Sequence, residues 1–223
     1  MTAIEAVVSD FGGVLTTPLM HTFAALQDED GIEQGAMGAA LRHIAERDGA
    51  HPLFELECGR MTEHDFLAAL SAQLRADLGR DDVEMQSFAE RYFAHLEPNA
   101  PMIAFLRELR DDGYRLAMLT NNVREWEARW RAMLPVDELF ETVVDSAFVG
   151  LRKPDPAIYR IVCDRLALEP AQCLFVDDVE VNCTAATELG MTAVLFRDSE
   201  QAIAEVREAL GRGQLSEPSR SQR

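Results

Sequence analysis

The chain is short of positive charge. Its 223 residues hold 21 Lys and Arg against 39 Asp and Glu, a formal net charge of −18. That balance cannot neutralise a run of phosphates, so neither nucleic acid nor an anionic membrane is an expected partner. A ligand carrying phosphate would have to be met locally, by a metal ion or a few placed cations. Cysteine is scarce too. Cys58, Cys163, Cys173 and Cys183 include no CxxC pair and lie mostly in apolar segments, so they read as reduced core residues, not as a disulfide frame or zinc site. No apolar run approaches membrane length, and no basic-plus-apolar leader precedes the first strand. The five histidines show no HExxH spacing and read as surface or packing residues. The expectation is a cytoplasmic protein, monomer or homodimer, without internal repeats.

What the chain does have begins at once. Ile4 to Val8 is a β-rich apolar run that ends in Asp10, with Gly12 and Gly13 directly after. Such a run suits a buried parallel strand, and the carboxyl ends of parallel strands face the ligand crevice. From Pro18 to about Leu96 the pattern is helical. Leu19, Phe23 and Leu26, then Met37, Leu41 and Ile44, then Phe66, Leu67, Leu70 and Leu74, then Phe88, Tyr92 and Phe93 fall at helical spacing. Thr62 and Asp65 form a variant capping box ahead of the third group.

Strand and helix alternate after that. Asn99 caps a helix ending near Gly113, Tyr114–Leu119 is a strand, and Thr120-Asn121-Asn122 follows it. A helix carries Trp126 and Trp130, read as packing residues. Thr142–Val144 is a short strand, Lys153-Pro154-Asp155-Pro156 leads into a helix, and Cys173–Val176 is a strand ending in Asp177-Asp178. A helix to Leu189, a strand over Met191–Phe196 and a helix over Ser199–Leu210 complete the alternation. The fold class is α/β: a doubly wound, Rossmann-like parallel sheet over 1–17 and 98–211, interrupted by an all-helical block over 18–97, with a flexible tail at 212–223.

Parallel strands share a direction, so Asp10, Thr120-Asn121, Lys153 and Asp177-Asp178 gather at one edge of the sheet. Singly, each has an ordinary explanation as a cap, a turn or a solvated side chain. Asp145 is read as a turn residue or a further acid near the crevice. Together, three carboxylates in one crevice repel unless a divalent cation sits among them, and hard oxygen donors suit Mg²⁺. A lysine and a Thr/Asn pair beside them would hold an anion, an arrangement fit for phosphoryl transfer.

VVSDFGGVL, LTNN, GLRKPDP and FVDDVEVN, in this order, resemble the four signature motifs of the haloacid dehalogenase-like hydrolase superfamily. The helical block sits where one subfamily inserts a cap after its first strand. Ser146 to Phe196 is similar to the N-terminal phosphatase domain of soluble epoxide hydrolases and its bacterial relatives. The resemblance implies Asp10 as the nucleophile that forms an aspartyl-phosphate. Thr120 and Asn121 would bind the phosphoryl oxygens, and Lys153 the phosphate and the Asp10 carboxylate. Asp10, Asp178 and the Gly12 backbone carbonyl would hold Mg²⁺, supported by Asp177 and Asn182. The implied substrate is a small phosphorylated metabolite.

One position departs from that family pattern. Phosphatases of this superfamily usually carry a second Asp, the general acid and base, where this chain has Gly12. The carbonyl survives the replacement; the proton-transfer group does not, and such a group is typically worth about 10²–10⁴-fold in rate. Asp177, a residue of the helical block and His21 are the candidate substitutes. Two alternatives stay open: a metal-independent 2-haloacid dehalogenase-like hydrolase, and a catalytically weak or non-catalytic phosphate-binding protein. Dehalogenases of the superfamily tend to have Tyr at the Gly12 position and Ser or Asn in place of Asp177-Asp178, which favours the phosphatase. A receiver-type signalling domain would carry its acidic pair after the first strand and have no helical insertion.

Overall fold

In the computed structural model, which describes residues 2–85 and 87–214, five parallel strands form one sheet in the order β3-β2-β1-β4-β5. They are β1 (Ala6–Ser9), β2 (Arg115–Thr120), β3 (Thr142–Asp145), β4 (Cys173–Asp177) and β5 (Thr192–Leu195). Alternate residues of each strand face opposite sides, and both sides are apolar. Val7, Leu116, Met118, Leu174 and Val176 join one buried cluster. Ala6, Val8, Ala117, Leu119, Val144 and Phe175 join another. A sheet buried on both faces needs covering layers, and helices supply them, as the βαβ alternation requires.

Between β1 and β2 lie α1 (Leu19–Glu29), α2 (Ala36–Asp48), α3 (Pro52–Glu57), α4 (Glu63–Leu78), α5 (Phe88–Ala94) and α6 (Ala100–Asp111). The first five fall within 18–97, with no strand among the described residues between them. Its two connections meet: Thr16 bridges Pro98, and the Thr17 amide donates to the Glu97 carbonyl at 2.9 Å. The capping residues act as their types suggest. Thr62 accepts from the Asp65 amide at the start of α4, and Asn99 from the Met102 amide at the start of α6.

Beyond β2 come α7 (Glu127–Met133), α8 (Val136–Leu139), α9 (Ser146–Val149), α10 (Pro156–Leu166), α11 (Glu180–Leu189) and α12 (Ser199–Gln214). Three details differ from the sequence expectation. Trp126 ends a 3₁₀ turn over Arg124–Trp126 that precedes α7. One-turn helices α8 and α9, too short to show a period, occupy segments left without structure in the sequence reading. The last helix runs past Leu210 to Gln214; the remainder of the tail at 215–223 lies outside the described residues. All four cysteines are buried and free. Among the described residues no helix is long and apolar enough to cross a membrane.

The topology fixes where a ligand can sit. The chain passes from β1 outward to β2 and β3, then returns to the other side of β1 for β4 and β5. The order reverses between β1 and β4, and the crevice beyond the carboxyl ends of those two strands is the switch point. Asp10 follows β1 and Asp177 ends β4, side by side: the Asp10 amide donates to the Val176 carbonyl at 2.9 Å.

Candidate active site

Register carries the polar residues to one edge. Thr120, the last residue of β2, pairs with Asp145, the last of β3, while Ser9 of β1 pairs with Val176 of β4. Lys153 arrives from the loop ahead of α10. Its ammonium, 1% exposed, lies 2.7 Å from Asp10 Oδ1 and 2.6 Å from Asp177 Oδ2. Lys153 is also the only lysine in the chain; all 20 other basic side chains are arginines. That count was available from the sequence and marks the residue independently of any motif. A compact ammonium fits between two carboxylates where a planar guanidinium would not.

Asp177 is fully buried and hydrogen-bonded at both oxygens. Oδ1 accepts the Val179 amide at 2.8 Å and Asn182 Nδ2 at 3.0 Å, and Oδ2 accepts Lys153 and the same Asn182 group at 3.2 Å. Asn182 is held in turn, its carbonyl accepting the Tyr159 hydroxyl at 3.0 Å. Asp178 is half-buried and turned toward the β1 loop. Gly13, at φ +80°, is where it rests: a Cβ there would lie 2.1 Å from Asp178 Oδ2. Gly13 is therefore a position where a side chain cannot be accommodated without moving Asp178.

The Asn121 side chain is engaged with the Lys153 loop. Its Nδ2 donates to the Lys153 carbonyl at 3.1 Å and its Oδ1 accepts the Lys153 amide at 2.8 Å. The carboxamide thus fixes the main chain that presents the lysine. Asp145 caps α9 through the Ala147 amide at 2.9 Å, so the turn reading describes it. His21 is exposed on α1.

Oxygen atoms of Asp10, Asp177 and Asp178 lie within 4.8 Å of one another. Burial pushes the Asp10 carboxyl up to about 7, against the pull of Lys153, and the other two acids add to the rise. Burial and Asp177 push Asp178 up as well, and Lys153 is held above the ordinary lysine value by its two carboxylate partners despite burial. Three carboxylates around one ammonium leave a buried excess of negative charge that Lys153 cannot balance. A hard divalent cation suits both the charge and the all-oxygen donor set.

A cavity of about 410 Å³ is lined by Phe11 and Gly12, which follow Asp10, and by Thr120 and Asn121. Its walls are mainly apolar: Phe23, Leu56, Phe66, Phe88, Tyr92 and Trp126 among them, drawn from α1, α3, α4, α5 and the turn after β2. Tyr92 and Trp126 rings stand 4.8 Å apart, so an aromatic cluster seals α5 against the turn after β2. Trp126 therefore does more than the packing role expected of it: it is a cavity wall. Its indole nitrogen is buried without a hydrogen-bond partner. Glu57, also a lining residue, was missed in the sequence because a glutamate in a six-residue helix carries no local signal.

The family model described as haloacid dehalogenase-like hydrolase matches residues 4–190. Porcine bifunctional epoxide hydrolase 2 is 26% identical over 97% of this chain, which spans only 40% of that enzyme's length. The sesquiterpene phosphatase astK of Aspergillus oryzae is 28% identical over 94% of this chain and 98% of its own. Among solved structures, a HAD family enzyme from Bacteroides thetaiotaomicron in complex with magnesium and inorganic phosphate shares the fold. It has a TM-score of 0.59 at 21% identity, covering 87% of this chain and 95% of its own.

Proposed function

The chain belongs to the haloacid dehalogenase-like hydrolase family, and on that premise we propose that it is a Mg²⁺-dependent phosphatase. Its substrates would be monoesters that join a phosphate to an apolar body. The observation that carries this reading is the charge cluster of Asp10, Lys153, Asp177 and Asp178, with the residues directly after Asp10 lining a mostly apolar cavity. The cavity falls in the range of roughly 300–1,000 Å³ common to small-molecule sites. The phosphatase named for a sesquiterpene substrate supports the apolar class, and the neighbour solved with magnesium and phosphate supports the cation. The acids at positions 177 and 178 speak against the dehalogenase alternative.

Asp10, Asp178 and the Gly12 carbonyl are the groups that would hold Mg²⁺. Asp177, with both oxygens hydrogen-bonded, would orient the lysine and the loop. The bound cation would neutralise the phosphoryl oxygens and the surrounding acids. Lys153 pulls the Asp10 carboxyl toward its ionised form, points it, and would offer its remaining proton to the phosphate. Thr120 Oγ1 would donate to a second phosphoryl oxygen. Asp10 then attacks phosphorus in line, the ester oxygen departs with a proton, and water cleaves the aspartyl-phosphate. Residues 18–97 act as a cap: their apolar side chains exclude bulk water from the reacting atoms, where electrostatic contacts then count for more.

Phosphate release should be measured from a series of n-alkyl monophosphates and glycerol phosphate, with Mg²⁺ and with chelator, for wild type and Asp10→Asn. The expectation is metal-dependent release, lost in Asp10→Asn, with kcat/KM rising about three- to fourfold per added methylene until the cavity is full, from roughly 0.8 kcal/mol per buried CH₂. Preference for glycerol phosphate over every alkyl ester would refute the apolar substrate class. Release of halide from a 2-haloacid, with no phosphate release, would instead establish the dehalogenase.

A further inference from the structure

Resting on the phosphatase reading, we propose that Glu57, at the end of α3, is the general acid and base that serves the leaving group and the water. An alkoxide is a poor leaving group, and its departure from phosphorus is fast only when a proton reaches the ester oxygen. The residue after Phe11 is Gly12 and carries nothing to transfer. Among the described residues that line the cavity, Glu57 supplies the one carboxyl. It shares that lining with Gly12, Thr120 and Asn121, beside which the phosphate would rest.

The place of Glu57 is built rather than incidental. Its carboxylate accepts Arg152 Nε at 2.6 Å, and the side chain is 15% exposed. Arg152 directly precedes Lys153, so one loop presents both the cation that touches Asp10 and the cation that holds Glu57. The Arg152 guanidinium itself lies 3.9 Å above the Phe54 ring of the same helix α3. Two residues on, Gly59 at φ +65° presses against the core: a Cβ there would sit 2.3 Å from the Ala147 carbonyl. Arg60 Nη1 then donates to the Gly150 carbonyl at 3.2 Å. The segment from Phe54 to Arg60 is thereby fastened to residues 147–152 at three points, and Glu57 is held between them.

The environment also suits proton transfer. Burial raises the Glu57 carboxyl above the ordinary glutamate value, while Arg152 opposes that rise. Tyr92, another proton-bearing group on the wall, is pushed far upward by burial and stays protonated. In the first step Glu57 gives its proton to the ester oxygen as the phosphorus–oxygen bond breaks and the Asp10 oxygen–phosphorus bond forms. In the second, the Glu57 carboxylate takes a proton from water as the water oxygen attacks phosphorus. Asp10 is released, inorganic phosphate forms, and Glu57 is again protonated. Arg152 is a positioning residue in this scheme.

The test is kcat/KM across monoesters of increasing leaving-group pKa, from p-nitrophenyl phosphate through phenyl phosphate to alkyl phosphates. Wild type should depend weakly on the leaving group. Glu57→Gln should lose about 10²–10⁴-fold on alkyl phosphates but less than about tenfold on p-nitrophenyl phosphate, whose leaving group needs no proton. Arg152→Gln, which keeps the carboxyl but removes the group that positions it, should lose less on alkyl phosphates than Glu57→Gln does. Equal loss on every ester in Glu57→Gln, or no loss, overturns the proposal, as does a larger loss on alkyl phosphates in Arg152→Gln than in Glu57→Gln. A steep dependence in wild type overturns it even if Glu57→Gln does not fold. Should Asp10→Asn keep wild-type turnover, the phosphatase reading itself fails, and that outcome is separate from any result at Glu57.

Discussion

Lys153 and Asp177, 24 residues apart, form a buried ion pair with Nζ and Oδ2 2.6 Å apart and side chains 1% and 0% exposed. The same ammonium lies 2.7 Å from Asp10, so a single side chain separates the acid that would attack from the acid that organises the loop. Lys153→Met would leave both carboxylates buried without their cation. Breaking a buried pair at one partner typically costs about 3–5 kcal/mol. Urea unfolding in chelator should show a loss of that size, part of which Mg²⁺ restores, and phosphatase turnover should vanish. Unchanged stability would mean that the pair contributes little to holding the β4 end in place.

Asn121 tests the distinction between holding the lysine and touching the phosphate. Its two hydrogen bonds to the Lys153 main chain are worth about 0.5–1.5 kcal/mol each, so Asn121→Ala should lower stability by roughly 1–3 kcal/mol. A displacement of the lysine by about 1 Å can cost on the order of 10²-fold in turnover. The expected signature is a fall in kcat with little change in the inhibition constant for inorganic phosphate. A large loss of phosphate affinity with kcat preserved would return Asn121 to the anion-binding role.

The difference between these two residues shows what could be read in advance. Asp10, Thr120 and Asp177 lie at strand ends, and parallel pairing brings strand ends together whatever lies between them in sequence. Apolar runs and polar interruptions therefore locate the cluster in the sequence itself. The hydrogen bonds from Asn121 to the Lys153 main chain were not foreseen, because a carboxamide beside a neighbouring loop can serve a backbone or a ligand equally well. Glu57 and Trp126 were beyond such reasoning. Helical periodicity identifies which face is buried, and a cavity wall is buried in the same sense as a packed core. Which buried side chains border empty space depends on how α1, α3, α4 and α5 are arranged, and no local pattern encodes that.

Asp145 is half-used. Its Oδ1 caps α9 at Ala147, while Oδ2 is buried without a partner and burial pushes the carboxyl up to about 6. A carboxyl raised in the folded state costs stability as pH climbs from its unfolded value near 4 to about 6, and the cost is constant above that. Asp145→Asn keeps an oxygen for the Ala147 amide and removes the charge. Thermal unfolding should show Asp145→Asn more stable than wild type by on the order of 1–3 kcal/mol at pH 8. At pH 5 the gain should be smaller. A loss of stability at both pH values would show that the ionised form has a partner other than Ala147.

Proton release should report cation binding at the cluster. Burial holds the Asp10 carboxyl up at about 7, so without a cation it is half-protonated there, and a protonated carboxyl cannot ligate Mg²⁺. Binding must therefore expel close to one proton at pH 6 and far fewer at pH 8, with apparent affinity weakening by up to tenfold per pH unit below 7. The same sign governs stability: without the cation, the folded state loses ground as pH rises from about 4 to 7, and Mg²⁺ should recover it. Titration calorimetry in two buffers of different ionisation enthalpy measures the proton count directly. Gly13→Ala supplies the geometric control. At φ +80° and 2.1 Å from Asp178 Oδ2, an added Cβ must push that carboxylate away, so Mg²⁺ affinity should fall by tenfold or more at every pH. Proton release that stays constant from pH 6 to pH 8 would exclude Asp10 from the group that binds the cation, whereas unimpaired binding by Gly13→Ala would exclude Asp178.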